Sequence, residues 1–395
     1  MEDNRPPDPE VLREMIDAPP IARVVNLIIS QAVCDNATSA HIDSLEDKLR
    51  VRYRVDNRLQ DVMEPPKEIQ HAVVGRIKVM ADMDIAEWRI PQVGSIELNH
   101  EGRDFKVQVS TFPCIHGEKV VLQFLPSEVA LALGRMQLSD FNQARIRGLL
   151  ESRAGMLLVV GKTRSGKSTV LRSLVRELND ERRNIFTVER SIGHKIEGVN
   201  QIEVNPRVGL VESSVIRSLM RGDPDVIMIE RLHGCEAGRL AFEAAASKYL
   251  VLAGCYQDDA AAGVCHMNQM NVEAHLVTHG LRGVWAQTLL PRLCEECKQP
   301  QTAPANIVGL EEGALIYRRM GCQACNQSGY NGLIGVQEVL IMSEELQEAI
   351  LRRASVSELR DFVEPPMRTD ALGKLKAGWI SLLDFVIEFE RNGSL

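Results

Sequence analysis

Two groups of residues have the types and spacing to do chemistry. The first is Gly161-Lys162-Thr163-Arg164-Ser165-Gly166-Lys167-Ser168, with Thr169 behind it, which satisfies G-x-x-x-x-G-K-[ST]. The apolar run Met156-Leu157-Leu158-Val159-Val160 precedes it and a helical pattern follows. That strand–loop–helix context favours a phosphate cradle over a chance glycine-rich turn. Backbone N–H groups and the helix N-terminus would surround phosphate oxygens. Lys167 would reach the outer phosphates of ATP, and the Ser168 hydroxyl would hold Mg²⁺. Such a loop needs a second acid. Asp223-Pro224-Asp225-Val226-Ile227-Met228-Ile229-Glu230 reads as a hydrophobic strand ending in one. Glu230 is a candidate to orient Mg²⁺ or hold it through water; the alternative is an ordinary charged strand end.

The second group is Cys294-x-x-Cys297 and Cys322-x-x-Cys325, separated by 24 residues. The gap is slightly longer than that of a usual zinc ribbon or knuckle, but close to it. Four thiolates close a tetrahedral Zn²⁺ site with no open position, so the expected role is structural. A redox pair is the alternative; two pairs in one short segment favour the metal. The remaining Cys34, Cys114, Cys235, Cys255 and Cys265 read as buried small apolar residues.

The elements that must position these groups follow from composition and periodicity. At roughly 100–200 residues per domain, 395 residues make two or three domains. Hydrophobic residues at 45% and charged residues at 25% are the proportions of a globular protein. Aromatics are only 4%, so aliphatic side chains and Met must build most of the core. A net charge of −8 argues against a nucleic-acid partner held by phosphates. No apolar run approaches the ~18–20 residues of a membrane span. The acidic, Pro-rich start lacks an apolar export core. The expected location is the cytoplasm, possessing membrane contact only through a partner. Nine cysteines, an odd number, do not make a disulfide framework there.

Residues 1–19 read as a flexible tail, and 20–128 as an α+β domain. In the latter, Val24, Val25, Leu27, Ile28 and Ile29 suit a buried helix. Leu49–Val55, Phe105–Val109 and Lys119–Phe124 suit strands. Over 129–290, apolar runs at 156–160, 226–229 and 249–252 alternate with helical patterns, which predicts a parallel sheet. Val170, Leu171, Leu174, Val175 and Leu178 mark one helix face. A cysteine module at 291–335 and a helical region at 336–395 complete the chain. Ser343 with Glu344 and Glu345 reads as a helix start. His116 reads as a turn or packing residue, and Trp88, Trp285 and Trp379 as core or interface anchors.

The chain resembles the secretion ATPases of type II secretion and type IV pilus assembly, in the branch with a tetracysteine zinc module. The resemblance runs from about Pro20 almost to the end. It rests on Pro20–Ile28, Arg52-Tyr53-Arg54-Val55-Asp56, Arg76–Ala81 and His116–Val121. It continues through Thr187-Val188-Glu189, Asn200-Gln201, Val204-Asn205-Pro206, Gly209-Leu210, Arg217 and Asp223-Pro224-Asp225. The cysteine pairs, Gly329-Tyr330 with Gly332, and Met367-Arg368-Thr369 close it. It implies an N-terminal PAS-like lobe and a RecA-like P-loop lobe with nucleotide between them. It also implies a cytoplasmic hexamer acting on an inner-membrane platform protein.

The catalytic positions depart from that family. Its Walker B ends in Gly-Glu, where this chain has Glu230-Arg231, so a cation replaces the acid that polarises water. Glu230 lies one residue early, which on a strand means the opposite face. The family's His box Thr-Leu-His-Thr-Asn-Asp reads Gly254-Cys255-Tyr256-Gln257-Asp258-Asp259, and its second His is Tyr249. The Asp box reads Glu189-Arg190-Ser191-Ile192-Gly193; Glu189 survives and the last acid is Gly193. Gln108, Gln123 and Ser95 stand where arginines directed at the γ-phosphate are expected. Lys162 and Arg164 replace a Pro and a Gly of the phosphate loop. Cys255, beside the altered His box, is a position to watch for reactivity.

Glu189 and Glu230 are therefore the remaining catalytic candidates. Gly161 to Thr169 are the candidate ATP–Mg²⁺ residues, and Cys294, Cys297, Cys322 and Cys325 the candidate Zn²⁺ ligands. The expected protein keeps the fold, binds nucleotide and hydrolyses it poorly or not at all. Its role would be regulatory or structural, in a homohexamer or a hexamer mixed with an active relative. The alternative is an active hexameric motor for pilus or pseudopilus assembly.

Overall fold

A computed structural model describes residues 19–35, 37–55, 58–100, 103–125, 132–193, 195–304 and 307–390. The chain divides into two compact units, Met1–Val129 and Ala130–Leu395. The tail expected over 1–19 lies outside the described residues, except that residue 19 opens a helix.

The first unit is α+β and PAS-like. Helices α1 (Pro19–Cys34) and α2 (Gln70–Met80) cover one face of a six-stranded antiparallel sheet. Its strands are β1 (Ser39–Ser44), β2 (Leu49–Val55), β3 (Arg58–Met63), β4 (Gln92–His100), β5 (Arg103–Cys114) and β6 (Gly117–Leu125). Their spatial order is β3-β2-β1-β6-β5-β4. Alternation explains the one-sided core: Val51, Tyr53, Val107, Val109, Val120 and Leu122 point to the helices and are buried. The buried Tyr53 hydroxyl donates to Ile28 O at 2.7 Å. Leu27 departs from its expected burial and is 53% exposed. Its neighbours Val25, Ile28 and Ile29 already fill the stripe that faces the sheet.

The second unit is a RecA-like α/β domain. Its main strands are β7 (Gly155–Val160), β8 (Ile185–Glu189), β9 (Asn200–Glu203), β10 (Val226–Ile229), β11 (Leu250–Cys255), β12 (Leu281–Leu293) and β15 (Tyr330–Ile341). The sheet order is β15-β12-β7-β11-β10-β8-β9, with β15 alone antiparallel to its neighbour. In β7, Met156, Leu158 and Val160 face one helical layer while Leu157 and Val159 face the other. Burial on both faces is why this strand reads as an unbroken apolar run. Helix α4 (Lys167–Leu178) lays Val170, Leu171, Leu174, Val175 and Leu178 on the second face, beside α3 (Asp140–Leu150). All five are at most 2% exposed, each contributing roughly 1.5–3 kcal/mol of burial. The first face carries α5 (Glu212–Leu219), α6 (Cys235–Ser247), α7 (Ala260–Gln269) and α8 (Ala274–Gly280).

The cysteine segment hangs between two strands of this sheet. β12 leads into the first pair and β15 leads out of the second, so both ends of 291–335 are continuous with the main sheet. Within it, β13 (Gln299–Thr302) pairs with β14 (Leu315–Arg318). Beyond β15 come α9 (Glu344–Leu351), α10 (Val356–Arg360), α11 (Met367–Lys376) and α12 (Leu382–Phe389). The Ser343 side chain caps α9 by accepting from Leu346 N. The buried Glu338 carboxylate accepts from Ala260 N at 2.9 Å and Met367 N at 2.8 Å, tying α7 and α11 to β15. No described helix is long and apolar enough to cross a membrane.

Candidate functional site

The loop between β7 and α4 is held from behind. Gly166 sits at φ +84° as the cap residue of α4, a conformation that favours glycine. A Cβ on Gly161 would lie 2.4 Å from Gln287 O, so only glycine allows this approach. Arg164, where a glycine is expected, also takes positive φ, at +65°. The loop thus keeps its turn at a backbone cost of about 1–3 kcal/mol for a non-glycine residue. Gln287 donates from Nε2 to Ser165 O at 2.8 Å.

Behind Gln287 runs a buried polar chain that sequence reading missed. Gln337 donates to Gln287 Oε1 at 3.2 Å and to Met136 O at 3.1 Å. Lys374, on α11, donates to Gln337 Oε1 at 2.9 Å, Gly335 O at 2.6 Å and Asp370 Oδ2 at 2.6 Å. Gln287, Gln337 and Lys374 are all at most 3% exposed. Such a network rigidifies only when fully satisfied, as this one is. The available signal was two glutamines inside otherwise apolar strands, in Trp285-Ala286-Gln287 and Val336-Gln337.

Lys167 is buried and turned back on its own loop. Nζ donates to Gly161 O at 2.7 Å and Lys162 O at 2.6 Å. It also lies 4.2 Å from the Tyr256 ring centre, and the Arg231 guanidinium is 4.7 Å from that same ring. Burial, and then the Arg231 charge, lower the Lys167 amine to about 8. On the outer side, Lys162 pairs with Glu388 of α12 at 3.1 Å. Being largely exposed, that pair contributes at most about 1 kcal/mol. Ser168 and Thr169 are half-buried in the first turn of α4, where N–H groups have no helical acceptor.

The two acids are drawn to the other side. Fully buried Glu189 accepts from Thr187 Oγ1 at 2.7 Å, Gln201 Nε2 at 2.9 Å and Arg172 Nη2 at 3.1 Å. Glu230 follows β10, whose register with β11 and β8 has no bulge. It meets Arg172 at 3.6 Å and accepts from Arg190 N at 3.1 Å. β11 lies between β10 and β7, which sets Tyr256 beside Lys167. Tyr249 points elsewhere, its hydroxyl donating to Met220 O at 2.7 Å. In the first unit, Ser95, Gln108 and Gln123 fall opposite one another in a single row across β4, β5 and β6.

The four module cysteines converge. Their Sγ atoms all lie within 4.8 Å of one another. Cys322–Cys325, Cys297–Cys325 and Cys294–Cys322 are 3.7, 3.8 and 3.9 Å apart. The edge of a tetrahedron with 2.3 Å Zn–S bonds is about 3.8 Å. The donor set therefore fits a closed tetrahedral cation site, and Cys322 N and Gly329 N donate to Cys325 Sγ. The expectation that the other five cysteines are buried needs correction. Cys34, Cys114 and Cys235 are exposed, Cys265 is half-buried and only Cys255 is buried. The exposed three sit at a helix end, a hairpin tip and a helix start, where side chains have little to cover them. Burial pushes the Cys255 thiol up to about 11, so it is an inert core thiol rather than a reactive one.

A family model described as "Type II/IV secretion system protein" matches residues 14–386. The chain belongs to that family. Among members of the type II/IV secretion system family, it is 36% identical over 385 residues to the type II secretion system ATPase E of Vibrio cholerae, covering 95% of this chain and 76% of that one. It is 35% identical over 356 residues to the putative type II secretion system protein E of Escherichia coli K12, covering 89% and 72%. The ATPase DotB of Legionella pneumophila superposes with a TM-score of 0.69 at 18% identity, over 94% of this chain and 96% of that one. The pilus retraction motor PilT with bound ADP gives 0.64 at 20% identity, over 92% and 96%. At those identities the two structures establish the fold alone.

Proposed function

We propose that this member of the secretion ATPase family binds ATP with Mg²⁺ and hydrolyses it poorly, acting as a regulatory or structural subunit of a type II secretion or type IV pilus class machine. One observation carries the reading. Lys167 and Arg231 both lie against the Tyr256 ring, while the neighbouring acids Glu189 and Glu230 are engaged by Arg172 and by the loop after β8. Phosphate binding needs the loop backbone, Lys167 and the Ser168 hydroxyl, all present. Hydrolysis also needs an acid that orients water, and neither acid has a contact with the cradle among the described residues. The cysteine module holds Zn²⁺ as a structural staple. The subunits form a hexamer, alone or with an active relative, at the cytoplasmic face of an inner-membrane platform protein.

Nucleotide titration of the purified full chain, with native mass and elemental analysis on the same sample, tests this reading. Expected are ATP binding without turnover, a mass near six subunits and one zinc per chain. Absence of nucleotide binding would overturn the binding role, and absence of zinc the staple. An active motor is the second reading. It is favoured by the retained loop conformation, which survives even at Arg164.

A further inference from the structure

We propose that Arg231 contacts the outermost phosphate of a bound nucleoside triphosphate and makes the site select triphosphate over diphosphate. The inference deepens the reading of the cradle as a nucleotide site and rests on it.

Two cations meet at one aromatic ring without an acid to balance them. Lys167 Nζ is 4.2 Å and the Arg231 guanidinium carbon 4.7 Å from the centre of Tyr256. Lys167 donates only to neutral oxygens, those of Gly161, Lys162 and Ser165. Arg231 Nε is buried and has no hydrogen-bond partner. Among the described residues neither side chain forms an ion pair. An aromatic face attracts a cation by about 0.5–2 kcal/mol but carries no net charge. The complement that two adjacent cations and an unpartnered N–H lack is a polyanion.

The order along that polyanion follows from the elements. Lys167 belongs to the loop that surrounds the inner phosphates. Arg231 comes from the end of β10, two strands away from β7. Lys167 reaches from the loop to the outer two phosphates, whereas the second cation lies within reach of the third alone. Guanidinium offers planar, paired donors to phosphate oxygens, and Arg231 Nε has no partner. The adjacent acid cannot turn this contact into hydrolysis, because Glu230 is held by Arg172 and Arg190 N. Arg231 therefore stabilises the bound triphosphate rather than its cleavage.

The test is calorimetric titration of the full chain with the magnesium salts of a β,γ-imido ATP analogue and of ADP. The wild-type chain should prefer the analogue by about 10- to 100-fold, the range of a charge-assisted hydrogen bond. Arg231→Gln should cut that preference at least about fivefold and leave ADP affinity within about twofold. Arg231→Lys should retain part of it, and serves in place of the Gln variant if that one does not fold. Equal wild-type affinity for the two nucleotides, or an Arg231→Gln variant that weakens both alike, would overturn the inference alone. Failure of the wild-type chain to bind either nucleotide would instead overturn the reading of the cradle.

Discussion

The phosphate cradle and the strand ends facing it are held in different ways. The cradle is fixed through its backbone. Gly166 holds its left-handed turn, Arg164 accepts one, and a satisfied buried chain from Lys374 through Gln337 and Gln287 supports Ser165. The ends of β8, β10 and β11 run in unbroken register, and side-chain contacts rather than backbone set what stands there. There Glu230 turns to Arg172, Arg231 takes the next position, and Tyr256 covers Lys167. Backbone geometry is fixed by packing on both faces of the sheet, so it survives replacement of the side chains at its edge. Hydrolysis depends on those side chains one by one.

The comparison can be broken first at the buried chain. Lys374→Met removes the cation of a buried pair; Gln337 Oε1 and Gly335 O lose their Lys374 donor, and Asp370 keeps only Gln337 N. It should cost about 3–5 kcal/mol in denaturant unfolding and weaken nucleotide binding together. Unchanged affinity in a destabilised variant would show that the chain does not hold the loop.

A smaller effect is expected across the site. Glu189→Gln should lose about 1–3 kcal/mol of stability, since it disturbs a buried carboxylate with three donors. Nucleotide affinity should stay within about threefold. A collapse of binding by calorimetry would move Glu189 from support to chemistry.

The smallest effect is a pH dependence. Lys167 is lowered to about 8 by burial and by Arg231, while Cys255 beside it is raised to about 11 and stays a thiol through this range. The protonated amine is the form that meets phosphate, so affinity should fall as pH rises through about 8, by up to about tenfold per unit. Stability has the opposite sign. Between about 8 and 10.5 the unfolded lysine binds a proton that the folded one releases, so the nucleotide-free chain should become more stable as pH rises. Flat affinity from pH 7 to 9.5 would remove Lys167 from the phosphate contact.

Sequence reading reached what periodicity and local motifs encode. The apolar run 156–160, the helix face from Val170 to Leu178 and the convergence of the cysteine pairs were all legible. Each lies within one element or a short spacing. The support behind the cradle was not legible, because Ser165, Gln287, Gln337 and Lys374 meet only through the pairing of β12 with β7 and β15. The stacking of Lys167 and Arg231 on Tyr256 was hidden for the same reason. Cys34, Cys114 and Cys235 are exposed where residue type alone predicts burial, because an element end offers little to bury against, whatever the side chain.

The central claim is tested most directly by steady-state ATP hydrolysis of the purified full chain, with Lys167→Ala as the background control. The account predicts a wild-type rate indistinguishable from that background while ATP is still bound. A robust wild-type rate that Lys167→Ala abolishes would contradict it.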